Sequence, residues 1–202
     1  MGACLANRKV VLPAIVLGTG PSLTAQKARI IELREQNRIQ IFGINNTYND
    51  FPIDVWIACD TTWHEHFGQI VGDFDKWHWD KGVCAKYGYR YIEGRWGPGL
   101  STDPAYIYYG HSSGYQALGL AYHYGHREIY LAGYDMTYSG QRHYFDGLSD
   151  RAGEYPEKLR KYSTFDGLIK TYQTIADQNP CRIYNMTKTS AMKCFPYATL
   201  TG

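Results

Sequence analysis

Apolar residues fall along the chain in short runs separated by glycines and charged breaks, and these runs set the predicted elements. Ala14-Ile15-Val16-Leu17 is continuous and enters Gly18-Thr19-Gly20-Pro21-Ser22-Leu23. An apolar run that short, closed by a glycine turn, predicts a strand buried on both faces, then a helix start. The helix is predicted over 24–35. Residues 39–44, closing on Asn45, and 55–59, closing on Asp60, predict two more strands. Residues 61–71 predict a helix, 83–92 one or two short strands, and the aperiodic stretch 93–102 a loop. Ala117, Leu118, Leu120, Ala121 and Tyr124 form the core-facing stripe of a helix that starts at Ser112 or Ser113 and stops at Gly125. A strand over 128–132 enters Gly133-Tyr134-Asp135. A helix over 157–177 and a strand over 182–185 complete the pattern. Strands that end on polar residues and alternate with helices predict an open α/β sheet, whose ligands bind beyond the carboxyl ends of the strands.

Composition narrows the classes. The 202 residues are 44% hydrophobic and 20% charged, which excludes global disorder and predicts one domain over 1–202. A net charge of +2, from 21 basic and 19 acidic residues, is too balanced for a dedicated nucleic-acid binder. Nucleic acid stays open as an acceptor. The apolar run over 10–17 is broken by Pro13 and followed by glycines, so no membrane segment is expected and a cytoplasmic location is. The five cysteines are an odd number without CxxC spacing, which predicts reduced, mostly buried thiols. Nineteen tyrosines, many beside glycines, suit nucleotide or sugar surfaces and equally suit half-buried packing.

Three constellations carry chemistry. Gly18, Thr19, Gly20, Pro21 and Ser22 read as a turn whose free amides and helix dipole favour phosphate, with Gly20 keeping the space for it. Ser112, Ser113 and Gly114 read either as a helix cap or as a second set of donors facing the first. Asp135, with His143 and Asp146 in the following loop, is suited to a metal, a ribose or an attacking hydroxyl. His64 and His66 are two positions apart, so they do not share a helix face and do not form an HExxH site. Trp77 and Trp79 read as packing rather than as a sugar platform.

Taken in order, Gly18-Thr19-Gly20-Pro21-Ser22-Leu23, Phe42-Gly43-Ile44-Asn45, Ser112-Ser113-Gly114, the strand into Gly133-Tyr134-Asp135, and Tyr144-Phe145-Asp146 resemble a family. It is that of the bacterial CMP-sialic-acid-dependent sialyltransferases, which share a Gly-Asn-Gly-Pro-Ser-Leu opening. The chain is also similar to a broader group with 6-hydroxymethylpterin diphosphokinase and phage-encoded proteins. The resemblance implies that Gly18 to Ser22, Asn45, Asp60 and Ser113 hold the nucleotide. The family's tyrosine pair falls on Thr137 and His143, its arginine on Gly110, and its general-base histidine near Lys161 and Tyr162.

The expected fold is therefore a single Rossmann-like, mostly parallel nucleotide-binding sheet with helices on both faces. A small aromatic lobe or lid is expected from 73–102 and 136–155. The expected activity is transfer of a sugar from a nucleotide-sugar donor to a hydroxyl acceptor, with His143, Asp146 or Asp135 activating the hydroxyl and no cofactor required. The alternatives are a Mg-dependent diphosphokinase acting on a pterin-like or other small alcohol, and a non-catalytic nucleotide-binding phage accessory protein in the host cytoplasm. A homo-oligomer stays open.

Overall fold

The computed structural model describes residues 11–137, 143–144 and 165–200. Seven parallel strands form the central sheet: β1 (Ala14–Leu17), β2 (Gln40–Ile44), β3 (Val55–Ile57), β4 (Asp75–His78), β5 (Arg90–Tyr91), β8 (Glu128–Ala132) and β9 (Arg182–Asn185). Their order is β5-β4-β3-β2-β1-β8-β9. A second, two-stranded parallel sheet pairs β6 (Glu93–Arg95) with β7 (Tyr106–Tyr108). This is an α/β, Rossmann-like arrangement.

Every residue of β1 is buried, which explains its unbroken apolar run. Two cores cover the sheet's two faces. On one, Val16, Phe42, Val55 and Leu131 meet α4 (Ser113–His123) and α5 (Phe165–Gln178) through Leu118, Ala121, Tyr172 and Ile175. On the other, Ile15, Leu17, Ile41 and Trp56 meet α1 (Leu23–Glu35), α2 (Thr61–Phe67) and α3 (Lys81–Tyr87) through Leu23, Ile30, Trp63 and Cys84.

The predicted elements at the centre of the sheet are present; those toward the β5 edge differ. Residues 81–87 are helical, although Val83 and the aromatics argue for strand by propensity. The Asp80 carboxylate accepts the Val83 N–H at 2.9 Å, and Gly88, at φ +73°, ends the helix in a left-handed cap. Helix α2 stops at Phe67 because Gly68 turns to φ +73°. Of the stretch expected as a lobe, 75–78 and 90–91 extend the central sheet. The segment expected as a loop holds β6, whose residues are half-buried or exposed on both sides and so show no alternation. The final helix is described from Phe165, and the expected start at 157 lies outside the described residues. So do 138–142 and 145–155 of the expected lid. Among the described residues no helix is long and apolar enough to cross a membrane. Of the described cysteines, Cys84 is buried, while Cys59, Cys181 and Cys194 are half-buried.

Candidate functional site

The chain builds outward from β1 to β5 and then returns to place β8 on the other side of β1. The strand order therefore switches direction at β1 and β8, the place where such sheets open a crevice. A cavity of about 290 Å³ lies there, beyond the carboxyl ends of β1, β2, β3 and β8. Gly18, Thr19, Gly20, Pro21, Asn45, Asp60, Ser112, Ser113, Gly114, Asp135 and His143 all line it. Ser22 sits just beneath, bonded to Asp135. Asp146 lies outside the described residues, as do Lys161 and Tyr162. The structure thus gathers the described site residues onto one cavity from five separated stretches of chain.

The glycine turn does not present a ring of open amides. Gly18 N–H donates to the Ala132 carbonyl at 2.7 Å and Gly20 N–H to the Gly133 carbonyl at 2.8 Å. Leu23 and Thr24 N–H donate to the Gly20 and Pro21 carbonyls. The Asp135 carboxylate takes both Ser22 donors, the N–H at 3.2 Å and the hydroxyl at 2.8 Å. Between Gly18 and Thr24, the Thr19 N–H alone has no acceptor among the described residues. A protein carboxylate thus already stands at the start of α1, where the dipole favours an anion. The space that Gly20 keeps is taken by Asp135: a Cβ there would lie 2.0 Å from Asp135 Oδ2. Glycine at this position lets the end of β8 approach. The left-handed turn falls at Gly133, φ +75°.

The start of α4 is the opposite case. Ser112 is its N-cap, its hydroxyl accepting the Tyr115 N–H at 3.1 Å. Ser113 Oγ accepts the Cys59 N–H at 2.9 Å and donates to Asn45 Oδ1 at 3.2 Å, so its hydroxyl joins the ends of β2 and β3 to the helix. The N–H groups of Ser113 and Gly114 find no acceptor among the described residues. They open on the cavity at the positive end of an eleven-residue helix. With the Thr19 N–H, these are unspent backbone donors of the site among the described residues.

Asp60, Cys59 and His143 face the cavity with distinct surroundings. Asp60 occupies the N-cap position of α2 without a side-chain cap bond. Solvent reaches it at the rim, yet burial of the carboxyl by its neighbours raises its pKa against a smaller lowering by the Cys59 thiol. Burial, and then the Asp60 charge, push the Cys59 thiol up to about 12, so it stays protonated and is no nucleophile. His143 is 7% exposed, and its Nδ1 lies 2.9 Å from the Thr19 hydroxyl. The next amide, Tyr144 N–H, donates to the Thr19 carbonyl at 2.8 Å. Thr19 therefore fixes both the imidazole and the backbone behind it.

Residues outside the cavity take the roles of packing. His64 is buried against the His78 ring at 5.0 Å, whereas His66, two positions on, is exposed. The indole N–H of Trp77 donates to Tyr124 and that of Trp79 to the Cys59 carbonyl. Sequence reasoning missed Tyr172, which lines the cavity from α5, and Trp96, exposed and packed against the cavity-lining His111.

No family model and no curated protein matches the chain. Among solved structures it is similar to the sialyltransferase CstII from Campylobacter jejuni in complex with the substrate analogue CMP-3FNeuAc. The TM-score is 0.46 and the identity 14%, over 93% of this chain and 86% of that one. It is similar also to an asparagine-to-alanine variant of sialyltransferase CST-II in complex with CMP, again at TM-score 0.46 and 14% identity, over 92% and 85%.

Proposed function

We propose that the protein is a nucleotide-dependent transferase that moves a sugar from a nucleotide-sugar donor to a hydroxyl acceptor. One observation carries the reading: two unspent amides at the start of α4 and a fixed, buried histidine share one cavity at the sheet's switch point. The donor phosphate accepts the Ser113 and Gly114 N–H groups. Asn45 and Asp60, at the ends of β2 and β3, take the ribose or base.

Transfer breaks the bond between the anomeric carbon and the phosphate oxygen and forms one to the acceptor oxygen. Negative charge grows on the leaving phosphate, where the helix amides already point, so they stabilise the transition state more than the ground state. The acceptor proton passes to His143. The Thr19 hydroxyl, 2.9 Å from Nδ1, orients the ring, and an imidazole is suited to accept a proton near neutral pH. Both oxygens of Asp135 already hold Ser22, at 3.2 and 2.8 Å.

The uncapped Asp60 carboxylate favours a second reading, a Mg-dependent diphosphokinase, since Mg²⁺ is held by carboxylate together with substrate phosphates. Thermal shift with CMP, CDP, UDP, GDP, ADP and ATP, each with and without Mg²⁺, tests both. Stabilisation by a nucleotide in EDTA supports sugar transfer, and stabilisation by ATP only with Mg²⁺ supports the second reading. No shift with any of the six overturns both.

A further inference from the structure

Trp96 follows β6 directly and is 70% exposed. Its indole is held in place. The Tyr109 ring packs against it at 5.0 Å and 59°, and the His111 ring at 4.9 Å and 47°. Tyr109 rests edge-on against Trp79 at 5.2 Å, and the Trp79 N–H is bonded to the carbonyl of Cys59 in the cavity wall. His111 itself lines the cavity, one residue before the cap of α4.

The backbone holds this arrangement at a cost. Gly110 and His111 are consecutive left-handed residues, at φ +53° and +58°. A histidine in that region is strained, and such strain persists where the surroundings impose it. Here it sets the imidazole between the indole and the helix start. Whereas the Trp77 and Trp79 N–H groups are both satisfied within the protein, that of Trp96 has no acceptor among the described residues. An exposed, braced aromatic face with an open donor at its edge therefore abuts His111, which lines the cavity.

We propose that Trp96, backed by Tyr109 and His111, is a saccharide platform. The apolar C–H face of a pyranose stacks on the indole while a ring hydroxyl accepts its N–H. Resting on the transferase reading above, this names the acceptor as a sugar, whose far hydroxyl enters the cavity past His111. A single-stranded nucleic acid would also stack, but it needs cations along its backbone. The adjoining cation, Arg95, is taken by Glu93 at 2.7 Å and lies over the Tyr106 ring at 4.0 Å.

The test is saturation-transfer NMR on the full chain without nucleotide. The probes are methyl β-D-galactopyranoside, methyl β-D-glucopyranoside, methyl α-D-mannopyranoside and methyl β-D-N-acetylglucosaminide. At least one is expected to receive saturation at its ring C–H protons and to shift the Trp96 indole N–H resonance. Trp96→Ala should weaken that binding at least tenfold and Trp96→Phe less than threefold, with the melting temperature of both unchanged. Binding by none of the four, equal binding by Trp96→Ala, or Trp96-dependent binding of oligo(dT) in their place overturns the platform. Nucleotide thermal shifts on the same variants separate the two readings. Sugar binding without nucleotide binding leaves the platform standing and removes the transferase; nucleotide binding without sugar binding does the reverse.

Discussion

Asp135 grips Ser22 at two atoms across 113 positions of chain, Oδ1 on the backbone N–H and Oδ2 on the hydroxyl. The Ser22 hydroxyl lies in turn 2.8 Å from Thr187 Oγ1, and the Asp135 carbonyl accepts the Ala191 N–H at 2.9 Å. One aspartate thus joins the first helix to the segment after the last strand. Asp135→Ala removes the charge and leaves the Ser22 N–H open. It is expected to lower stability by roughly 2–3 kcal/mol, the range for hydrogen bonds to a charged group plus a lost dipole interaction. Asp135→Asn should cost less than half as much. Urea unfolding of both variants checks the order, and equal stability for Asp135→Ala and native protein would contradict it.

Gly20→Ala is expected to destabilise by roughly 1–3 kcal/mol through overpacking alone. The added methyl meets the Asp135 carboxylate and, at 2.6 Å, the Gly133 carbonyl. The signature is a fall in melting temperature without ligand. A variant as stable as native but unable to bind nucleotide would show instead that the space belongs to a phosphate.

Ser113→Ala separates the serine hydroxyl from the serine amide. The hydroxyl serves Cys59 and Asn45, so its loss should cost roughly 1–3 kcal/mol, the penalty for a buried N–H left unpaired. The amide that faces the cavity is unchanged. Nucleotide affinity should therefore shift less than threefold by calorimetry, and a tenfold loss at unchanged stability would assign the hydroxyl to the ligand.

His143→Ala is expected to cut turnover by at least ~100-fold, the low end for a lost general base, with nucleotide affinity changed less than threefold. Thr19→Val keeps the backbone bond to Tyr144 but frees the ring, and should fall between native and His143→Ala. Full turnover in His143→Ala would exclude it as the base.

The buried His64 and His78 pair makes stability depend on pH. Burial, then the neighbouring His64, pushes the His78 imidazole down to about 4 from 6.5, and burial also lowers His64. A folded-state pKa below the unfolded value means that the unfolded chain binds the proton more readily. The contribution is therefore present above about 6.5 and is lost as pH falls toward about 4. For His78 alone it amounts to roughly 3 kcal/mol at ~1.4 kcal/mol per pKa unit. His78→Asn keeps an acceptor for the Asp80 N–H, which donates to His78 Nδ1 at 2.9 Å. Urea melts between pH 7 and 4.5 should show a flatter pH dependence in this variant, and an unchanged slope would remove the assignment.

The central strands were legible because burial leaves an apolar run, unbroken in β1 and interrupted only by the leading Glu128 in β8. The strand ends carried the cavity lining with them: Asn45, Asp60 and Asp135 were singled out because polar residues closed apolar runs, and Gly18 because a glycine turn did. What the amides at those ends do was not legible. The partner of Ser22 is distant in sequence, and Ser113 has a hydroxyl and an amide with separate tasks. The β4–α3–β6 region was misread because partly exposed edges lack period, and Asp80 and Gly88 imposed a helix on strand-favouring residues. Trp96 was passed over inside an aperiodic stretch. Its signal was that very isolation, since a tryptophan without apolar neighbours at regular spacing has no core to enter.

The return of the chain to place β8 beside β1 also dictates when the cavity comes into being during synthesis. Strands β1 to β5 are made in spatial order and can add one after another. The wall formed by Gly133 and Asp135 arrives only after that half is complete, and its pairing with Gly18 and Gly20 must then close a very long loop. Until it docks, the Gly18, Gly20 and Ser22 amides lack their acceptors. In the finished protein their hydrogen exchange therefore follows the undocking of β8, not the fraying of the turn in which they sit.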